Sequence, residues 1–322
     1  MKILLTGATG LVGRALSAQL LKDGHELHIL SRKKNPEINS AFNSGIQSAL
    51  RSTTHSFQWS GREPVPPEAL IGVEAIIHLA GENIGQWPWT ADRKQRILAS
   101  RVEGTRNLVE SFKSMPVKPK VFVSASALGI YGNSPVTLCK EGEERRGEGF
   151  LAEVVRAWET EIFAAEKLGI RTVAIRSGII LSLAHKKNDP KSALDKMILP
   201  FRFGMGATIG SGNQPMPWIH LHDTVGIFIH ALKTESLKGP VNACSSGIKS
   251  NREFSKILAK SLHRPCFLNL PEFFVKLIFG GMAETVLFGQ NADTTKLKDS
   301  GYRFQYSDLI LALERVLVPP IQ

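Results

Sequence analysis

MKILLTGATGLVGR, residues 1–14, is the stretch from which the fold is read. Residues 1–6 form a short apolar run of the kind that makes a strand buried on both faces of a parallel sheet. Gly7, Gly10 and Gly13 follow, and Val12, Leu16 and Leu20 recur every fourth residue, which is helical spacing. Strand, glycine turn, helix is the context in which such glycines point to a dinucleotide. Gly7 permits a tight turn, Gly10 lets backbone approach a pyrophosphate, and Gly13 allows close packing of helix on sheet. The free N–H groups and the positive end of the helix dipole then face phosphate. Thr9, Leu11 and Val12 lie in the same turn and join Gly7 and Gly10 as expected contacts. The spacing is GxxGxxG rather than GxGxxG, and the alternative is a tight turn that holds no ligand.

The composition narrows the class. With 322 residues, 43% of them hydrophobic, and a mean hydropathy of −0.05, the chain suits one large α/β domain or two lobes. No run approaches the roughly 18 apolar residues of a membrane span, so no membrane partner is expected. The first strand leaves no room for a signal or transit peptide. The net charge of +11 reads either as a solubilising basic surface or as a preference for anionic ligands. The basic residues are scattered, in short groups such as Arg32-Lys33-Lys34 and Lys186-Lys187, so nucleic acid is not expected. Cys139, Cys244 and Cys266 are far apart, which argues against disulfides or a cysteine zinc site and for the cytoplasm.

The second strand, 25–30, leads into Ser31 and Arg32. An acidic residue at this place would hold the ribose 2′-OH of NAD. A hydroxyl and a guanidinium instead suit a 2′-phosphate, so the expected cofactor is NADP(H). An ordinary solvated turn is the other reading. Strand 75–80 ends in Leu79, Ala80, Gly81 and Glu82, expected to border the cofactor because ligands sit at the carboxyl ends of such strands. His78 reads as a hydrogen-bonded core histidine. In the helix 91–113, Arg101 is either a phosphate ligand or a surface ion pair. Strand 121–124 opens into Ser124, Ser126 and Tyr131. These hydroxyls either contact substrate or cap and pack the chain. A helix is read over 150–167 and a strand over 172–181, the latter bringing Arg176 to the site.

Residues 35–51 read as a surface loop or loose helix, 141–148 as a mobile loop, and 199–217 as a glycine-rich loop that closes over a ligand. Strand 217–221 leads into the next helix, and His220 and His222 flank Leu221, an HxH pair with no third ligand placed beside it, so no metal is expected. Asp223 reads as the N-cap of a helix 223–234. Strand 241–243 and helices 253–261, 273–279 and 307–316 complete the chain.

Several motifs stand in one order: TGATGLVG (6–13), SRKK (31–34), HLAGENI (78–84), SRVEGTRNLV (100–109), SASALGIYG (124–132), WET (158–160), IRSGIIL (175–181), LPFRFGMG (199–206), IGSG (209–212) and PWIHLHD (217–223). With them the chain resembles the epimerase-family proteins of the atypical short-chain dehydrogenase/reductases. The resemblance runs on through FGGMAETVLFGQ and SGYRFQYSDLILAL. It implies an α/β fold, a Rossmann doubly wound parallel sheet with a smaller C-terminal substrate lobe. The NADP-binding domain would be residues 1–181 with 221–249 returning to it, and the lobe 182–220 and 250–322.

The departures bear on activity. Active short-chain dehydrogenases carry Tyr-x-x-x-Lys on the helix read here over 150–167, and this helix has no tyrosine. Residues 35–55 and 183–192 look like insertions, and Ala207-Thr208 interrupts a glycine-rich loop. Two functions stay open. One is an NADP(H)-dependent oxidoreductase or epimerase of a small polar substrate, in which Ser124, Ser126 or Tyr131 polarises a substrate oxygen and His220 or Glu82 relays a proton. The other is a non-catalytic NADP(H)-binding sensor or scaffold. The oligomeric state stays open between monomer and homodimer.

Overall fold

The structure, a computed structural model, describes residues 1–33, 53–142, 147–185, 187 and 189–318. Lys34, Lys186, the loop read over 35–51 and part of that read over 141–148 lie outside the described residues.

Seven strands build one sheet: β1 (Lys2–Thr6), β2 (Glu26–Ser31), β3 (Thr54–Gln58), β4 (Ala75–His78), β5 (Val121–Ala127), β6 (Arg171–Ser177) and β7 (Gly239–Ala243). Their order is 3-2-1-4-5-6-7 and every pairing is parallel. This is the doubly wound order, with its reversal between β1 and β4. The crevice for a ligand therefore opens where Thr6 and His78 end their strands.

The apolar runs alternate between two cores. Ile3, Leu5, Ile77, Val123 and Ile175 pack on one face with Leu16 and Leu20 of α1 (Leu11–Lys22). Leu4, Ile76, Phe122 and Ala174 pack on the other with Leu108 and Phe112 of α2 (Ala91–Phe112) and Trp158 and Ile162 of α3 (Phe150–Phe163). A strand covered on both faces has to be apolar at successive positions, and each such side chain contributes about 1.5–3 kcal/mol by burial.

A third core gathers around Trp218. It is supplied by α4 (Ala193–Arg202), α6 (Asn251–Ser261) and α8 (Leu309–Leu317), which flank α5 (Leu221–Lys233) and α7 (Glu272–Phe279) in the chain. Ser192 with Asp195, and Ser250 with Glu253, form capping boxes that start α4 and α6. Leu297, Tyr302 and Phe304 pack back onto the sheet.

Several elements differ from the sequence reading. The strand read over 172–181 breaks at Gly178: the Ile179 N–H donates to Pro217 O at 2.7 Å, and Ile179–Leu181 pairs with Trp218–His220. The loop read over 199–217 contains the end of α4 and a strand, Gly206–Ile209, that pairs in parallel with Cys266–Leu270. The Ser192–Asp195 capping box starts α4, and the helix runs through Pro200. The helix read to residue 167 ends at Phe163 and tightens into a 3₁₀ turn, Ala164–Leu168. Asp223 is not the cap of α5. His220 is, its Nδ1 accepting the His222 N–H at 3.1 Å. Asp223 is buried in the first turn, where its carboxylate accepts the N–H groups of Gln305 and Tyr306 and the Tyr302 hydroxyl. Among the described residues no helix is long and apolar enough to cross a membrane.

Candidate functional site

The carboxyl ends of β1 and β4 are joined through one hydroxyl. Thr6 Oγ1 accepts the N–H groups of Leu79 and Ala80, each at 3.1 Å, and lies 2.7 Å from His78 Nδ1. His78 Nε2 lies 3.0 Å from Thr105 Oγ1 of α2, which also accepts the Trp158 indole N–H. Burial, with the nearby Arg101 charge, pushes the His78 imidazole down to about 3, so the ring is neutral. A neutral ring donates once and accepts once. Thr6 already accepts twice, so its proton goes to Nδ1 and Nε2–H points at Thr105.

The glycine turn is backbone packed on backbone. Gly7 has φ +73°, and a Cβ there would lie 2.7 Å from the Leu79 carbonyl carbon. A Cβ on Gly13 would lie 2.1 Å from Gly7 O. Gly10 is the N-cap of α1 and no side chain caps the helix there. Its first N–H groups are thus available at the positive end of the helix dipole. Thr9 and Gly10 are exposed, and Leu11 and Val12 are half-buried behind them. Ser31 ends β2 with its hydroxyl accepting the Lys33 N–H at 3.2 Å, and the Arg32 side chain is exposed beside it.

The loop after β4 is held by α2. Glu82 N–H donates to Ser100 Oγ at 3.0 Å, and Arg101 donates to Glu82 O at 3.1 Å. A Cβ on Gly81 would lie 3.3 Å from the Arg101 guanidinium carbon, and that guanidinium stacks 5.2 Å from the Trp158 ring. Burial, partly offset by the Glu82 charge, lowers Arg101 to about 10. Arg93 donates to Asn83 O at 2.6 Å, and its NH1 lies 3.5 Å from the Glu82 carboxylate. The motifs LAGENI and SRVEG therefore bind each other. Lys196 of α4 donates to Gly85 O, which brings α4 onto the same loop.

The hydroxyls of β5 lie deeper. Ser124 is fully buried and donates to Ala125 O at 3.0 Å. Ser126 donates to Glu159 of α3 at 2.6 Å. Glu159 takes a bidentate pair from Arg176, at 2.8 and 2.7 Å. Arg176 also donates to the Tyr131 hydroxyl at 2.8 Å, and Tyr131 donates to Asn242 Oδ1 at 2.9 Å. Burial, opposed by the Arg176 charge, pushes the Tyr131 phenol up to about 12. Despite burial, hydrogen bonding to Glu159 and its charge raise Arg176 above the ordinary guanidinium value. Both side chains of the pair are over nine-tenths buried, so the Arg176 guanidinium is engaged within the fold.

His220 stands apart from this network. Its ring packs 4.0 Å from Tyr306, and burial lowers it to about 4 despite the Asp223 charge. It lines a cavity of about 540 Å³ between α1, α5 and α8, with His222, His185 and Arg315.

Sequence reasoning missed three participants. Glu159 was visible in WET, yet nothing local marked it as the partner of Arg176. Asn242 joins Tyr131 across 111 residues of sequence. Glu284, in the MAET segment, accepts the N–H groups of Phe150 and Leu151 at 3.4 and 3.5 Å, at the start of the helix where the missing dyad would stand.

The comparisons agree with this geometry. The NAD dependent epimerase/dehydratase family model matches residues 3–244, and that of a domain of unknown function, DUF1731, matches 270–316. The chain is 35% identical over 318 residues to the epimerase family protein YfhF of Bacillus subtilis, covering 98% of each. It is 32% identical over 324 residues to the epimerase family protein SDR39U1 of Bos taurus, covering 98% of this chain and 100% of that one. The crystal structure of human SDR39U1 with NADPH superposes with a TM-score of 0.82 at 30% identity, over 98% of this chain and 99% of that one. UDP-glucuronic acid 4-epimerase from Bacillus cereus, at 19% identity and a TM-score of 0.76 over 98% of this chain and 96% of that one, shares the fold. The chain belongs to the NAD-dependent epimerase/dehydratase family.

Proposed function

We infer that the chain binds NADP(H) at the carboxyl edge of β1 and acts as an oxidoreductase or epimerase of a small polar substrate. The observation that carries the reading is the turn from Gly7 to Gly13, where side-chain-free backbone packs against Leu79 and Ala80 and leaves the first N–H groups of α1 uncapped. Such a turn fits a diphosphate. The NADPH bound to human SDR39U1 supports the same choice of coenzyme. Ser31 and Arg32 would hold the 2′-phosphate. When bound, the coenzyme supplies hydride chemistry.

The proton has to come from the chain. With no tyrosine or lysine on α3, the carboxylates bordering the loop after β4 are the candidates. Glu82 is partly exposed beside Arg93, and Glu284 lies against the start of α3. Ile84, Trp89, Phe150 and Met282 form one apolar cluster between them, which would keep water from the reacting centre.

Hydride exchange from stereospecifically deuterated NADPH, screened against sugar nucleotides and small carbonyl compounds, tests the enzymatic reading. Exchange that is lost in Glu82→Gln or Glu284→Gln supports it. Tight NADPH binding with no exchange sinks it. That outcome would favour a nucleotide-binding sensor, the reading supported by the commitment of Ser126 and Tyr131 to the buried Glu159–Arg176 network.

A further inference from the structure

At the amino-terminal edge of the sheet, opposite the coenzyme edge, Glu26, His28 and His55 stand together. The strand geometry explains why. Glu26 and His28 are two apart on β2 and so share a face. The parallel register then puts His55 of β3 directly beside His28. Glu26 Oε1 lies 3.4 Å from His28 Nε2 and 3.6 Å from His55 Nε2. All three donor atoms lie within 4.8 Å of one another. Two ligands bound tetrahedrally to one zinc ion at about 2.0–2.1 Å stand about 3.3–3.4 Å apart. The carboxylate oxygen is already near that spacing from each imidazole, and the two imidazole nitrogens lie within 4.8 Å of each other.

The His28 tautomer sharpens the case. Its Nδ1 lies 2.7 Å from Ala69 O, and a carbonyl only accepts, so Nδ1 carries a proton. In the neutral ring Nε2 then turns a lone pair toward the Glu26 carboxylate, in a pocket where the His28 side chain is only 5% exposed. Two lone-pair donors facing each other can share either a proton or a metal cation between them. An outer hydrogen bond from the far ring nitrogen to a carbonyl is also how metal-bound imidazoles are oriented. Lys2 Nζ now lies 3.1 Å from Glu26 Oε1, with its side chain 27% exposed. This is the oxygen that faces both imidazoles, so a metal there takes the place of the ammonium, which turns to solvent.

The geometry points to a divalent transition-metal site made by Glu26, His28 and His55, with zinc the ion suited to two imidazoles and one carboxylate. His55 is half exposed, which leaves room for water as a fourth ligand. The ion would clip the edge strand β3 to β2. Its role is structural, at the end of the sheet away from the glycine turn.

The test uses the tag-free full chain, stripped with chelator, titrated with Zn²⁺ by calorimetry and with Co²⁺ by visible absorption. Wild type should take up one equivalent and unfold at a higher temperature with Zn²⁺, because an ion that binds only the folded state stabilises it. His55→Ala and Glu26→Gln should each weaken Zn²⁺ by more than about 100-fold, beyond the cost of losing an outer-shell partner. NADPH affinity, read in the same samples, should not change and reports that the variants are folded. No saturable uptake by wild type, or equal uptake by His55→Ala, overturns the site and leaves an imidazolium–carboxylate pair.

Discussion

The Thr6 hydroxyl lies 2.7 Å from Nδ1 of His78, and these two residues end the adjacent strands β1 and β4. Their contact sits at the point where the sheet order reverses. It links the glycine turn to α2 through Thr105 and to α3 through Trp158. A neutral histidine is required at its centre, since an imidazolium would place a second proton against Thr6 or Thr105 in a fully buried site.

That requirement makes stability depend on pH. The folded protein protonates His78 only near 3, against 6.5 for a free imidazole. Between those values the unfolded chain holds the extra proton, so stability is full above about 6.5 and is lost progressively as pH falls towards 3. At pH 5 the gap of roughly 1.5 units corresponds to about 2 kcal/mol. His78→Gln can keep the hydrogen bonds and cannot titrate. Urea unfolding at pH 8 and pH 5 should show wild type losing about 2 kcal/mol more than the variant. An equal loss in both proteins would show that His78 is not the group responsible.

How much of this could be read from the chain depends on range. β1, β4 and β5 are apolar runs covered on both faces, and Ile76 flanked by Ala75 and Ile77 reads as a strand without help. β3, with the sequence THSFQ, is a half-exposed edge strand whose pattern carries no such signal. The glycine turn is local and was legible down to Gly7 and Gly13. The buried network was not, because its members meet only after folding: Ser126 and Glu159 are 33 residues apart, Tyr131 and Asn242 are 111 apart. A serine before a turn looks the same whether its hydroxyl serves a substrate or a buried carboxylate. The cluster of Glu26, His28 and His55 had the same difficulty, since Glu26 and His28 share a strand while His55 arrives from β3.

Arg32 tests the coenzyme reading directly. Its side chain is exposed at the end of β2, next to the Ser31 hydroxyl. A charge-assisted contact to a 2′-phosphate is worth roughly 1.5–3 kcal/mol, or about ten- to a hundredfold in affinity. Arg32→Glu should therefore weaken NADPH by at least that factor, by adding repulsion to the lost contact, and leave NADH almost unchanged. Calorimetric titration of both coenzymes measures it. Equal weakening would show that the side chain does not meet the extra phosphate.

The Glu159–Arg176 pair separates structure from catalysis among the buried hydroxyls. Removing one member of a buried ion pair costs about 3–5 kcal/mol, because the other charge is left without a partner. Arg176→Met should fall in that range by urea unfolding, and Glu159→Gln should do the same. Replacing both, Glu159→Leu with Arg176→Met, should cost less than the two single changes together. Tyr131→Phe removes an acceptor from Arg176 and a donor from Asn242, at about 1–3 kcal/mol. If the tyrosine acts through this network, Tyr131→Phe loses stability and keeps whatever hydride exchange the wild type shows. If it also serves a substrate, the exchange disappears as well.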